Sequence, residues 1–195
     1  MTTILHPSEC GLPAAADAAA EALTRPGTVV LVPTETVYGL ICRAADGDAV
    51  RRIYELKGRD SSKPLSWFVA DWRTLDRYGV LMDGLPARLA ERFMPGAITI
   101  VAPRKEGGTV GFRIPDHPLV QAILRRVPEP LASTSANLSG RPNARTVASA
   151  LAELNGDVAL AVDDGPIPEG ALASTVVDAT GARPRILRQG ALVID

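Results

Sequence analysis

Apolar residues recur along this chain at two spacings, and the alternation between them predicts an α/β fold. Val50, Ile53 and Tyr54 fall at i, i+3 and i+4, and Leu85, Leu89 and Phe93 at i, i+4 and i+8. Val147, Ala150, Leu151 and Leu154 fall at i, i+3, i+4 and i+7. Each set is the stripe of an amphipathic helix. Leu119, Val120, Ile123, Leu124 and Val127 predict another, and the Ala-rich run from Pro13 to Leu23, closed by Pro26 and Gly27, predicts the first. Between them lie short apolar or β-branched runs that predict strands: Thr28–Val32, Leu65–Ala70, Ala97–Ala102, Thr109–Ile114, Val158–Val162, Thr175–Val177 and Ile186–Leu187. The link between Ala97–Ala102 and Thr109–Ile114 is short and holds glycine, which suits a hairpin. The expected architecture is therefore one twisted, mixed β-sheet flanked by helices, with a ligand cleft at the strand ends.

At 195 residues and 46% hydrophobic content, the chain can bury one sizeable core, and a single domain over 1–195 is expected. Two cysteines, Cys10 and Cys42, make neither a disulfide framework nor a metal knuckle. No apolar run approaches the ~18 residues of a membrane span, so a soluble, cytoplasmic protein without a membrane partner is expected. The net charge of -1 gives no global attraction to nucleic acid.

Locally the charge is sorted. Lys57, Arg59 and Lys63 gather in KGRDSSK, Arg104, Lys105 and Arg113 flank another segment, and Arg183, Arg185 and Arg188 lie near the end, whereas Glu153 to Ala182 holds no Lys or Arg. Hydroxyl-rich segments accompany them where strands finish: PTETVYGL from Pro33, STSANLSG from Ser133, and STVVD with Ser174 and Thr175. Basic side chains beside hydroxyls and glycine-containing loops suit phosphate or carboxylate. Taken singly, PTET reads equally as a turn with Glu35 solvated, KGRDSSK as an exposed loop, STSAN as a helix cap, His117 as a capping residue and Cys42 as core. The combination at strand ends favours one anion-binding pocket. There is no GxxxxGK[ST], no HExxH, no CxxC and no nucleophile elbow. Hence no covalent or acid–base catalytic residue and no protein metal site is expected.

PTETVYGL, KGR followed by KP, MPGAITIV, VGFRIPDHP, STSANLSG, STVVD and ILRQGA occur in this order from about Val29 to Ala191. Together they resemble the YrdC-like family of threonylcarbamoyl-AMP synthases, in its short single-domain form. That resemblance implies a reaction in which L-threonine, bicarbonate and ATP give L-threonylcarbamoyl-AMP and pyrophosphate, with Mg2+ accompanying ATP. The product would pass to the transferase that modifies adenosine 37 of tRNA. Matched motif by motif, Thr36, Arg113, Ser133 and Ser174 would hold threonine, with Arg113 on its carboxylate. Arg59, Lys63, Thr109, Ser135, Asn143 and Arg188 would contact ATP, with Lys57 and Asn137 in support. Relatives that read PLIVH after the KP motif use its histidine for threonine; PLSWF here has Phe68 instead. The alternatives are a double-stranded RNA or tRNA-binding module without catalysis, disfavoured by the neutral charge and 4% aromatics, and carbamoyl transfer of the hydrogenase-maturation kind. Weak tRNA binding is compatible with the main reading.

Overall fold

The computed structural model describes residues 1–194 and contains one mixed sheet of ten strands with seven helical segments. The strands are β1 (Thr3–Leu5), β2 (Val30–Val32), β3 (Gly39–Arg43), β4 (Ser66–Phe68), β5 (Ile98–Pro103), β6 (Thr109–Arg113), β7 (Leu131–Ser135), β8 (Leu160–Val162), β9 (Thr175–Asp178) and β10 (Arg185–Arg188). The helices are α1 (Pro7–Cys10), α2 (Leu12–Thr24), α3 (Gly47–Lys57), α4 (Leu85–Phe93), α5 (Pro118–Arg126) and α6 (Val147–Glu153), with a 3₁₀ segment at Trp72–Tyr78. Across the sheet the strands run β1-β8-β2-β3-β7-β4-β6-β5-β9-β10. The expected hairpin is present, with β5 and β6 antiparallel and Ile100 opposite Phe112.

Because side chains alternate across each strand, every strand serves two layers. Val30, Val32, Ile41, Leu131 and Phe68 face one side and join Ala15, Ala19, Leu23, Leu119 and Ile123 of α2 and α5. Leu31, Leu40, Cys42 and Ala132 face the other side, where α3 and α6 contribute Ile53, Leu56, Val147 and Ala150. Farther along that second side, Ile98, Ile100, Ala102, Val110, Phe112 and Val177 pack beneath α4 and the 3₁₀ segment through Leu75, Leu89 and Ala90. The second side is thus covered along its length. On the first side, α2 and α5 cover the sheet only as far as the β7 and β4 edge of their cluster. Beyond it, the strand positions that form the floor of a cavity are mostly hydroxyl-bearing, glycine or charged on β7, β4, β6 and β5, with Phe68, Val101 and, on β9, Val176 as apolar members.

Local signals set the elements that frame this cavity. Asp46 caps α3 by accepting from Asp48 N and Ala49 N, and it also accepts from Gly27 N (2.8 Å). Those backbone bonds, Ala49 foremost, hold its carboxyl below the usual carboxylate range. The helix stops at Gly58, whose φ of 52° is the left-handed conformation glycine adopts freely. Thr146 and Ser149 cap α6 reciprocally.

Candidate active site

The cavity has a volume of about 740 Å³, and the residues singled out from sequence converge on it: Thr36, Arg59, Lys63, Thr109, Arg113, Ser133, Ser135, Ser174 and Arg188 all line it. The loops at strand ends supply the rim, as expected, while the open face of the sheet supplies the floor. Lys57, Asn137 and Asn143 do not line it. Asn143 is exposed, on the segment between β7 and α6. Sequence reasoning missed Ser66, Thr99 and Gly111, which share the floor. Their signal was the period-2 alternation with core residues: Ser66 flanks Trp67, Thr99 separates Ile98 from Ile100, and Gly111 lies between Val110 and Phe112. A β-carbon at Gly111 would sit 3.2 Å from Thr99 Cγ2 and 3.7 Å from Ser66 Cβ, so glycine keeps that part of the floor low.

Arg113 anchors one end. Phe112 enters the core and Ile114 packs against it, so Arg113 turns to the opposite face, as the alternation requires. It is only 4% exposed. Nε donates to Gly96 O (3.0 Å), Nη1 donates to Thr36 Oγ1 (3.1 Å), and Nη2 lies 2.6 Å from Glu35 Oε1. That last approach has the distance of an ion pair but not the alignment of a hydrogen bond, and Nη2 has no other partner. Burial pushes the guanidinium pKa down, while Glu35 opposes the shift. Phe68, on the neighbouring strand and directly paired with Arg113, places its ring 5.9 Å from the guanidinium carbon. Phe68 therefore forms an apolar wall where a histidine was considered.

Paired hydroxyls surround Arg113. Thr34 Oγ1 donates to Val37 O (2.6 Å) and accepts from Val37 N (3.1 Å), and it lies 3.0 Å from Thr36 Oγ1. A hydroxyl carries one proton, so Thr36 is the donor of that pair and also the acceptor for Arg113. Ser66 Oγ and Ser133 Oγ stand 3.0 Å apart on directly opposed residues of β4 and β7. Thr99 Oγ1 and Ser174 Oγ are 2.8 Å apart. Tyr38 turns away from the cavity: its hydroxyl donates to Gly165 O (2.6 Å), and burial followed by Asp163 raises its pKa.

The other end of the cavity is cationic. Arg188 Nη2 donates to Ser174 O (2.8 Å), and its pKa is lowered first by burial and then by Arg113 and Arg59, which places three guanidiniums in electrostatic reach of one another. Arg59 donates to Lys63 O and Pro64 O (both 3.3 Å) and so shapes its own loop around the cation. Among the described residues no carboxylate lines the cavity, and Arg59, Lys63 and Arg188 are not balanced there as Arg113 is by Glu35 behind it, which is the electrostatic setting of a site that receives anions.

Lys57 departs from the sequence reading, which put it in the basic loop. It ends α3 and is 1% exposed. Its Nζ donates to Asn137 O (2.6 Å) and to Ser135 O, so it pins the segment after β7 from beneath. Asn137 extends this support by donating from Nδ2 to Arg141 O (2.7 Å). Burial brings the Lys57 pKa down to about 8. In an unfolded chain lysine titrates near ~10.4, so between pH 8 and ~10.4 the unfolded state holds more protons and the native state gains stability as pH rises. Across that window Lys57 should add on the order of 1–3 kcal/mol. The Lys57→Met variant should lose this rise when melting is compared at pH 7.5 and 9.5. Parallel pH dependences in the two proteins would show that Lys57 is not a buried ammonium.

Residues 22–190 match the family model Sua5_yciO_yrdC, described as telomere recombination. Among curated proteins, the chain is 40% identical to a threonylcarbamoyl-AMP synthase of Bacillus subtilis, with 90% of this chain and 53% of the relative covered. It is also 40% identical to the threonylcarbamoyl-AMP synthase of Homo sapiens, covering 82% of this chain and 61% of the relative. The chain thus spans little more than half the length of these relatives. Among solved structures, P. abyssi Sua5 complexed with L-threonine superposes with a TM-score of 0.77 at 32% identity, covering 97% of this chain and 57% of that one.

Proposed function

Because the chain belongs to the Sua5/YciO/YrdC family, we propose that it joins L-threonine, bicarbonate and ATP into L-threonylcarbamoyl-AMP, releasing pyrophosphate and water. The observation that carries this reading is one cavity with two chemically distinct ends: a buried, anchored Arg113 among hydroxyls, and the cations Arg59, Lys63 and Arg188. The first end suits an amino acid, with a guanidinium for its carboxylate and Thr36, Ser133 and Ser174 for its polar groups. The second suits a triphosphate, with Thr109 and Ser135 as further donors. That a relative of this fold was solved with L-threonine supports the assignment of the first end.

The threonine amine attacks bicarbonate carbon, water leaves, and a carbamate results. One carbamate oxygen then attacks the α-phosphorus while the bond to the bridging oxygen breaks and pyrophosphate departs. Every bond is made between substrates, so the protein's contribution is positioning and charge. Two unit charges ~4 Å apart repel by about 4 kcal/mol near a protein surface. The carbamate and the triphosphate must come closer than that, and the guanidiniums and Lys63 offset the repulsion. Phe68 presents an apolar surface on one wall of the cavity, beside an intermediate that hydrolysis would destroy.

Among the described residues no group of three or more His, Cys, Asp or Glu side chains could hold a metal ion. The cavity wall does not fit a protein-made magnesium cage, and magnesium enters as the MgATP substrate, its shell completed by phosphate oxygens and water. Among the described residues no helix is long and apolar enough to cross a membrane. The labile product requires a consumer that transfers the threonylcarbamoyl group to an acceptor amine, and the tRNA-modifying transferase is the proposed recipient. A concave cavity suits small anions better than an RNA backbone, which needs a broad basic face.

Pyrophosphate release tests the reading. It should require threonine and bicarbonate together, each omission reducing it to background. Release that follows carbamoyl phosphate instead, or no release with all three substrates, would overturn it.

A further inference from the structure

Glu35 has no role in the mechanism above and does not line the cavity, yet its carboxylate is fixed against the residue on which amino-acid recognition depends. Oε1 lies 2.6 Å from Arg113 Nη2 and also accepts the backbone N–H of Asp116 (2.8 Å). The same oxygen therefore ties the loop after β2 to the segment between β6 and α5. Each nitrogen of Arg113 has its own partner, Gly96 O at Nε from one segment and, from the adjacent residues of the loop after β2, Thr36 Oγ1 at Nη1 and Glu35 at Nη2. A guanidinium is planar, so three such contacts leave its plane no freedom to rotate.

We propose that Glu35 is the positioning residue of the amino-acid subsite: it clasps the buried Nη2 of Arg113 from behind and fixes the guanidinium plane, so that the N–H left free on Nη1 faces the substrate carboxylate. The proposal rests on the threonine reading of this cavity. Two observations separate it from a competing role, in which Glu35 would occupy the substrate's own seat. Glu35 stands outside the cavity wall, and the Asp116 N–H anchors it there independently of Arg113. Its negative charge does not leave the site electrostatically short of cations, because Arg188 lies within reach of Arg113 and Arg59 lies within reach of Arg188. What Glu35 supplies is direction: a misaimed guanidinium loses the bond to the substrate carboxylate that fixes the amine toward bicarbonate.

The Glu35→Gln variant keeps the side chain's size and removes its charge. The readout is the KM for threonine against the KM for ATP, a ratio that does not depend on the fraction of enzyme folded. In the variant the threonine KM should rise at least ~10-fold while the ATP KM stays within about 2-fold. A threonine KM equal to wild type, or lower, would overturn the proposal, the second result by showing that Glu35 competes with substrate. Equal rises in both KM values would make Glu35 a general structural residue and overturn it too. Should Glu35→Gln not accumulate as soluble protein, Glu35→Asp, which keeps the charge but falls short of Arg113, is measured in the same way. If the wild-type protein itself shows no threonine dependence, the functional reading fails rather than this inference.

Discussion

Replacing Arg113 by lysine should lower threonine-dependent turnover at least ~10-fold, or about 1.4 kcal/mol of transition-state binding, and should also lower the melting temperature. The two effects arise from one geometry. Lysine keeps the positive charge and can still pair with Glu35, but a single ammonium cannot serve Gly96 O, Thr36 Oγ1 and Glu35 together. Breaking a fully buried ion pair outright costs about 3–5 kcal/mol, and this pair sits below that range because Glu35 is partly exposed. With the charge retained, about 2–3 kcal/mol is expected, or roughly 4–12 °C in a domain of this size. The threonine KM should rise and the ATP KM should hold. Substrate binding and a structural ion pair are not exclusive for this residue: the arginine that faces the cavity is also the one held by Glu35. A variant with unchanged melting temperature and unchanged turnover would contradict both roles.

Gly190→Ala should be as damaging, for a reason of space alone. A β-carbon there would overlap Ala173 O and lie 2.5 Å from Ser174 C and 2.6 Å from Ser174 O, distances that real β-carbons do not show. The obstacle is backbone, so no side chain can move aside. The segment after β10 would have to lift from β9, breaking Gly190 N to Thr175 Oγ1 (3.0 Å), Ala191 N to Ala173 O (3.0 Å) and Thr175 Oγ1 to Leu192 O (2.6 Å). Lost hydrogen bonds and overpacking together cost about 2–3 kcal/mol, or roughly 4–12 °C. Arg188, two residues earlier, would lose its register with Ser174 O. The ATP KM should therefore rise as the melting temperature falls. Thermal denaturation and ATP-dependent kinetics on the same preparation measure both, and wild-type values for the two would show that the segment has room to spare.

How far the sequence could be read follows from what each residue faces. The hairpin of β5 and β6, and helices α2, α4, α5 and α6, announce themselves because their apolar stripes meet a continuous core. Strands β3 and β7 do not. LASTS begins in the core with Leu131 and Ala132 and ends as Ser133, Thr134 and Ser135, a polar run that resembles a loop because Ser133 and Ser135 face a cavity. Strand β3 opens on Gly39, separated by two residues from the polar PTET turn, which hides its start. Strand β1 and the 3₁₀ segment at Trp72–Tyr78 are too short or too irregular to leave a period. The order of strands, with β7 between β3 and β4, is a long-range pairing that no local spacing encodes.

The site was legible for the opposite reason. Arg, Lys, Ser and Thr are conspicuous where strands finish, and most of those named do face the cavity. Two readings changed. Glu35 is exposed, as a turn residue would be, yet its carboxylate also pairs with buried Arg113; Lys57, grouped with a basic loop, is a buried support for the segment after β7. Neither partner is near in sequence, so only the fold reveals them. Ser66 and Thr99 were passed over because strand positions flanked by core residues look apolar by neighbourhood, although their side chains point the other way.

The central claim is that one cavity holds threonine at Arg113 and the phosphates of ATP at Arg59, Lys63 and Arg188. A crystal structure with L-threonine and a non-hydrolysable ATP analogue tests it most directly. The threonine carboxylate should lie on the Arg113 guanidinium, its amine facing the α-phosphate, and the phosphate chain against the three cations. Threonine elsewhere on the molecule, or phosphates seated on Arg113, would contradict it.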